Sequence, residues 1–306
     1  MHYLLLFSSI FLETAKTVIA NLFSKQELTR DRDIFRFNWI FYVGSFLMLC
    51  CFPTTLPSAY TVLMAVIFAL VTAATQYFGL QALRCGAMSL TTFIQGSSLL
   101  LPTFFGFLFM NESASPLFWV CLVLLLIAMG LVLIAGRENV RPKWVVLSFF
   151  TFVSMGGIGI MQSLHQSSAY RDELIPFLQI AFALCALFNL GGQLLCKKEG
   201  EPAFRLRSGT TVMAVGSGAA MGAVNLINLY LSGVMDKHIF FPIVNGGLIF
   251  LTTIAAVIFF REKLRPRQWV GLAIGIAVQA LRWLFLASLM VWRFLHFPKG
   301  LPLESG

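Results

Sequence analysis

The sequence predicts an all-α integral membrane protein of ten transmembrane helices, built as two inverted five-helix repeats. Three observations predict it. Of 306 residues, 58% are hydrophobic and 11% are charged, where a soluble domain carries about a quarter charged residues. The apolar residues come in runs long enough to cross a hydrocarbon core of about 30 Å at about 1.5 Å per residue. The second half of the chain also repeats the first in a single register. In lipid a backbone must satisfy its own hydrogen bonds, and runs of this length do so as helices rather than as shorter barrel strands.

The predicted spans are 3–23, 37–53, 59–81, 88–110, 117–136, 143–165, 174–195, 209–232, 239–260 and 268–290. Pro53, Pro57, Pro116, Pro142, Pro202 and Pro266 fall in the gaps, where helix breakers belong. Residues 1–138 form the first repeat and 139–290 the second, and the tail 291–306 is expected to be disordered. Short gaps make successive helices antiparallel and leave no room for a soluble domain. The first run lacks a basic segment before it and carries Glu13 and Lys16, so it reads as a retained span and not as a cleaved signal. The six cysteines lie in or at the ends of apolar runs without metal-ligand spacing, and are expected to behave as small buried hydrophobes.

The formal charge of +9 does not point to nucleic acid, because the basic residues are spread over short interhelical gaps. Such a pattern reports membrane orientation. Sixteen of the 22 Lys and Arg residues lie in odd-numbered gaps and five in even gaps and the tail. The positive-inside rule then places odd gaps in the cytoplasm and both termini outside.

The repeat appears at an offset of 150 residues, where 96–131 lies on 246–281 without a gap. Gly96/Gly246, Thr103/Thr253, Phe109/Phe259, Glu112/Glu262, Pro116/Pro266 and Trp119/Trp269 are identical pairs. Two greasy segments share leucines by chance, but they rarely share Glu, Pro and Trp at one helix–loop–helix corner. A five-span unit crosses an odd number of times, so its second copy enters from the opposite face. That is the inverted-repeat construction of many secondary transporters, which bind substrate near the midplane between repeats.

The segments FIQGSSLLLPTFFGFLFMNESASPLFWVCLVLLLIAMGLVLI and FPIVNGGLIFLTTIAAVIFFREKLRPRQWVGLAIGIAVQAL resemble the EamA-type repeat of the drug/metabolite transporter superfamily. The shared features are a helix ending in Phe-x-x-Glu, a loop with Pro, then Trp and a helix rich in small residues. Glu112 and Glu262 match the acidic residue of that motif. The resemblance implies ten spans and a transporter of small molecules, with both termini cytoplasmic, the reverse of the charge count. It names no substrate. The first span also resembles the opening of the small multidrug resistance branch, whose essential membrane carboxylate lies near the position of Glu13. Lys16, one turn later, is foreign to that branch.

Charged residues within a span cost about 2.5–3.5 kcal/mol on insertion scales, so they persist when paired, wet or useful. Glu13 and Lys16 are three residues apart, on one helix face. They read either as a self-neutralising pair that anchors the first span, or as a proton site or charged-substrate site. An alignment of the two opening spans sets Glu13 on Ser154 and Lys16 on Gly157, confining the charge to the first half. Gln95 and Asn245 are repeat equivalents directly before Gly96 and Gly246. Their amides can line a cavity or glue helices together. Asn225 and Asn228 lie one turn apart on the eighth span, Thr75, Gln76 and Tyr77 on the third, and Gln162 and His165 at the end of the sixth. Together these suggest a polar interior with aromatic lining. A single His165 is not a metal site, and no metal or cofactor is expected. Glu112 and Glu262, at a membrane boundary, favour capping or loop packing, and Gly218-x-x-x-Gly222 and Gly271-x-x-x-Gly275 are close-packing motifs.

The expected function is secondary active transport of a small metabolite or drug-like solute by alternating access, possible coupling to protons running through Glu13. The chain would act in the plasma (inner) membrane, as a monomer or homodimer. No ATP-binding motif is present. The alternative is a non-transporting accessory subunit or lipid-handling scaffold. An enzyme is disfavoured, because no nucleophile has a partner base.

Overall fold

The computed structural model describes residues 2–26, 28, 30–98, 100–109, 141–196, 208–235, 237–264 and 266–274, with isolated positions at 119–120, 123–124, 127–128 and 277. These residues are 88% helical and contain no strand. The helices are α1 (His2–Gln26), α2 (Asp31–Leu49), α3 (Ala59–Cys85), α4 (Met88–Ser97), α5 (Leu100–Phe109), α6 (Pro142–Gln166), α7 (Leu174–Leu195), α8 (Ser208–Val234) and α9 (Lys237–Phe260). Residues 266–274 are helical as well. Most of the fifth predicted span and most of the tenth lie outside the described residues.

Among the described residues, six helices are long and apolar enough to cross a membrane, namely α1, α3, α6, α7, α8 and α9. The chain is thus a multi-pass membrane protein. Helix α2 falls outside that group because its first two turns carry Asp31, Arg32, Asp33 and Arg36. It starts six residues before the predicted span, with the Asp33 carboxylate accepting the Arg30 backbone N–H at 3.0 Å. Acidic residues suit the positive end of the helix dipole there. It ends at Leu49, short of Pro53, whose ring disfavours helix in the residue before it. The fourth predicted span, 88–110, is present as two ten-residue pieces, α4 and α5.

The helix starts have local causes. Ser58 caps α3 by accepting the Thr61 N–H at 3.2 Å. Pro142 sits at the first turn of α6, where its missing N–H costs nothing.

Packing follows the split between lipid and interior. The apolar positions left uncovered recur at helical spacing, as with Leu4, Phe7 and Phe11 on α1 and Val146, Phe149, Phe150 and Val153 on α6. Faces of that kind suit a hydrocarbon surround. The interior holds a cluster of rings from α2, α3 and α7 that includes Phe37, Phe41, Tyr42, Phe68, Phe177 and Phe182. A second cluster surrounds Trp144, whose indole N–H donates to the Thr91 hydroxyl at 2.9 Å.

The strongest helix pairings are α2 on α8, α3 on α6, α2 on α7, α1 on α8, α3 on α7, α1 on α9 and α4 on α9, with α4 and α5 also on α6. The α2–α8 seam is built from small residues. A side-chain carbon at Gly218 would run into the Phe41 carbonyl, and one at Gly222 would lie 2.9 Å from the Ser45 carbonyl. The Ser45 hydroxyl donates to the Gly218 carbonyl at 2.7 Å. The Gly218-x-x-x-Gly222 motif therefore does what small residues do in lipid, which is to bring backbones together. Gly271 is buried, and Gly275 lies outside the described residues. Of the five described cysteines, all free, only Cys185 is buried. Cys50, Cys51 and Cys196 are exposed at helix ends, because a run's end need not be covered by a neighbour.

Candidate functional site

Between the helices lies a cavity of about 140 Å³. Each contributing helix offers one face. From α1 come Glu13, Lys16, Thr17 and Ala20, and from α6 Met155, Ile158, Gly159 and Gln162. Helix α8 supplies Met221, Val224, Asn225 and Asn228, and α3 supplies Thr72, Thr75, Gln76, Gly79, Leu80 and Leu83. These are the i, i+3, i+4, i+7 positions that share a helix face. Gln95 and Ser98 at the end of α4 and Val244, Asn245 and Leu248 of α9 complete most of the wall.

The cavity thus brings together Glu13, Lys16, Gln76, Gln95, Gln162, Asn225, Asn228 and Asn245. Tyr77 is not among its lining residues. It stands one position off the α3 stripe, stacks on Phe35 with ring centroids 5.0 Å apart, and accepts a hydrogen bond from Gln81 at 3.1 Å. The aromatic lining expected from composition is small, with Phe240 the one ring among the described lining residues. The other rings fill the spaces between helices, where their bulk is needed.

Glu13 and Lys16 are the only ionisable groups among the described residues of the wall. The Lys16 ammonium donates to Glu13 Oε1 at 2.5 Å, with 11% and 12% of the two side chains exposed. Lys16 Nζ also lies 3.3 Å from Met221 Sδ, a weak acceptor. Around the pair the polar groups are neutral. Gln162 donates to Asn225 at 3.3 Å across α6 and α8, and Asn225 donates in turn to the Met221 carbonyl at 3.0 Å. Ser9 donates to Asn228 Oδ1 at 2.6 Å, tying α1 to α8. Gly79 leaves the space that Gln95 uses. A carbon added there would sit 3.2 Å from Gln95 Nε2.

No protein-family model matches this chain, and no curated protein matches it in sequence. One solved structure, described only as "Crystal structure of protein", is similar at a TM-score of 0.56 and 14% sequence identity, over 91% of this chain and 99% of that one. The likeness carries the fold alone.

Two features outside the cavity wall were not specified by the sequence. Asn21 lies one turn beyond Thr17 on α1, wholly buried, and neither its amide nitrogen nor its oxygen has a hydrogen-bond partner among the described residues. Its position, four residues after Thr17, was the available signal. The other is which helix Glu262 serves, capping or loop packing having been expected at this boundary. Arg261 turns the chain with φ of 49° directly after α9, and the Glu262 N–H reaches back to the Ala256 carbonyl at 3.2 Å. This turn delivers the Glu262 carboxylate to the start of α4. There it accepts the backbone N–H groups of Met88 at 2.6 Å and Ser89 at 3.2 Å, and the Ser89 hydroxyl at 2.7 Å. Lys25 Nζ lies 3.8 Å away. The carboxylate of the Phe-x-x-Glu corner is thus a helix cap supplied from another helix. Glu112 lies outside the described residues.

Proposed function

We propose that the chain is a secondary active transporter of small solutes, with ten spans in two inverted five-helix repeats and its substrate site in the cavity beside Glu13 and Lys16. The observation that carries the reading is the make-up of the cavity wall. Both halves line it with matching stripes. Thr72, Thr75, Gln76 and Gly79 of α3 run parallel in register to Met221, Val224, Asn225 and Asn228 of α8, and Gln95 and Ser98 to Asn245 and Leu248. Glu13, Lys16, Thr17 and Ala20 of α1 answer to Met155, Ile158, Gly159 and Gln162 of α6. This register is one residue from the pairing of Glu13 with Ser154, and the charge falls in the first half under either.

The helix pairings support the repeat in the same way. Exchange α1 with α6, α2 with α7, α3 with α8, and α4 with α9. The pairing of α2 on α8 then becomes α7 on α3, α3 on α6 becomes α8 on α1, and α1 on α9 becomes α6 on α4. The pairings α2 on α7 and α4 on α9 map to themselves, which is the behaviour of pairs astride a twofold axis. A site between inverted repeats can open to either face by rocking one half on the other. The resemblance of both halves to the EamA-type repeat points the same way, and a plasma (inner) membrane setting accords with it.

The test is solute counterflow in liposomes holding purified parent, Glu13→Gln or Lys16→Met protein, with a broad panel of metabolites and organic cations. The expected result is flux of some solute by the parent, reduced about a hundredfold, or about 2.7 kcal/mol, in each variant. Flux equal to that of protein-free liposomes across the panel would remove the carrier reading and favour an accessory or scaffold role.

A further inference from the structure

We propose that the cavity selects a small zwitterion, binding the ammonium of the solute at Glu13 and its carboxylate at Lys16, an assignment that rests on reading this cavity as the transport site. Charge bookkeeping comes first. The described wall holds one anion and one cation, and its remaining polar groups are neutral amides and hydroxyls. A net cation approaching Glu13 also meets Lys16, whose ammonium is hydrogen-bonded to that carboxylate. A net anion meets the mirror situation at Lys16. At this spacing, and away from bulk water, the repulsion nearly cancels the attraction for either ion. A zwitterion placed antiparallel to the pair meets two attractions.

The spare hydrogen-bonding capacity points the same way. The Lys16 ammonium has three donors, of which one is held by Glu13 and another faces only the soft sulfur of Met221. Glu13 Oε2 accepts no hydrogen bond from any described residue, since the Lys16 bond falls on Oε1. A solute carboxylate replaces a thioether as the second partner of Lys16. A solute ammonium takes the open oxygen of Glu13. The four charges then close a ring in which each touches two of opposite sign, so the internal pair is widened and not left unpaired. Breaking such a pair outright would leave an uncompensated charge, a costly outcome in a poorly hydrated site.

Volume sets the scale of the solute. A cavity of about 140 Å³ matches the engineered cavity of about 150 Å³ that holds benzene. The solute is therefore of the order of a small amino acid, with its charges on one carbon or on neighbouring carbons. Gln76 and Asn228 add neutral hydrogen-bonding groups to the wall, and Ile158 and Leu248 leave part of it apolar for a short side chain.

The experiment uses three small probes of different charge on the purified full-length protein: alanine, isopropylamine and isobutyrate. Affinities are ranked within each protein, so a loss of folded material does not alter the order. The parent is expected to prefer alanine to either singly charged probe by about tenfold or more, that is about 1.4 kcal/mol. Glu13→Gln keeps the cation and should move isobutyrate to the top. Lys16→Met keeps the anion and should move isopropylamine to the top. The exchanged variant, Glu13→Lys with Lys16→Glu, keeps the pair and should restore alanine. The proposal is overturned if the two single variants rank the probes as the parent does, or if the parent prefers a singly charged probe. Should none of the three bind any of these proteins while counterflow of an uncharged or larger solute persists, the zwitterion assignment falls and the carrier reading stands.

Discussion

Helix α1 carries two lysines, each beside a glutamate, and the two pairs have opposite designs. Lys16 meets Glu13 inside the cavity, with one short bond and open valences on both partners. Lys25 stands 3.8 Å from Glu262, whose oxygens are already taken by two peptide N–H groups and a hydroxyl of α4. Peptide donors at a helix start cannot leave without unwinding the helix, so Glu262 is committed. Glu13 depends on one flexible side chain and can exchange it for a solute. Both glutamates are mostly covered, so burial does not separate structural from functional carboxylates here. The mobility of the partner does.

The largest effect that sharpens this contrast is on stability. Glu262→Ala strips three hydrogen bonds from the start of α4 and leaves two buried-side N–H groups without an acceptor. A loss of about 3 kcal/mol is expected, read as a lower unfolding midpoint in detergent, with solute flux per folded molecule close to the parent's. Glu13→Gln should differ by losing flux per folded molecule, together with some stability because Lys16 is left without its counter-ion. An unfolding midpoint for Glu262→Ala equal to the parent's would erase the distinction between the two carboxylates.

A smaller effect is expected at the α2–α8 seam, which flanks the cavity without lining it at Gly218. A methyl group there meets the Phe41 carbonyl, and that backbone atom cannot rotate aside. Gly218→Ala should cost about 1–2 kcal/mol by forcing the helices apart. Gly209, with open space around it, provides the control, since Gly209→Ala meets nothing within 4 Å. Equal midpoints for the two alanine variants would mean that the seam is not close-packed.

Much of this arrangement was legible in the sequence. Helix α7 spans the predicted 174–195, because its apolar run and its length coincide. Helix α2 was misjudged by six residues, since hydropathy marks lipid contact and its charged first turns lie outside that contact. The polar residues of the cavity were found by type, as amides and charges inside spans. Type alone also selected Tyr77, which does not line the cavity. Periodicity separates Tyr77 from its neighbour, because Gln76 lies on the stripe with Thr72 and Gly79, whereas Tyr77 falls beside it. What one sequence could not give is the turn at Arg261, where a non-glycine residue adopts positive φ and aims Glu262 at a helix 174 residues away in the chain.

Glu173 provides the smallest effect and a third instance of the comparison. It directly precedes α7, and its carboxylate accepts the Ser58 backbone N–H and hydroxyl, both at 2.9 Å, at the start of α3. Like Glu262 it serves a helix start, but it does so in a gap between helices, open to water. Hydrogen bonds, from the Thr61 hydroxyl first and then from the Ser58 N–H, hold its carboxyl below the usual carboxylate range. A carboxyl with a lowered folded pKa binds fewer protons folded than unfolded. Its stabilisation is therefore fully present above the unfolded pKa and is lost as the pH falls through the folded one. Unfolding midpoints measured from neutral to acid pH should fall less steeply in Glu173→Gln than in the parent, with the two curves converging at the acid end. Parallel curves would mean that these bonds do not distinguish the folded carboxylate, and that serving a helix start does not by itself commit a carboxylate to the fold.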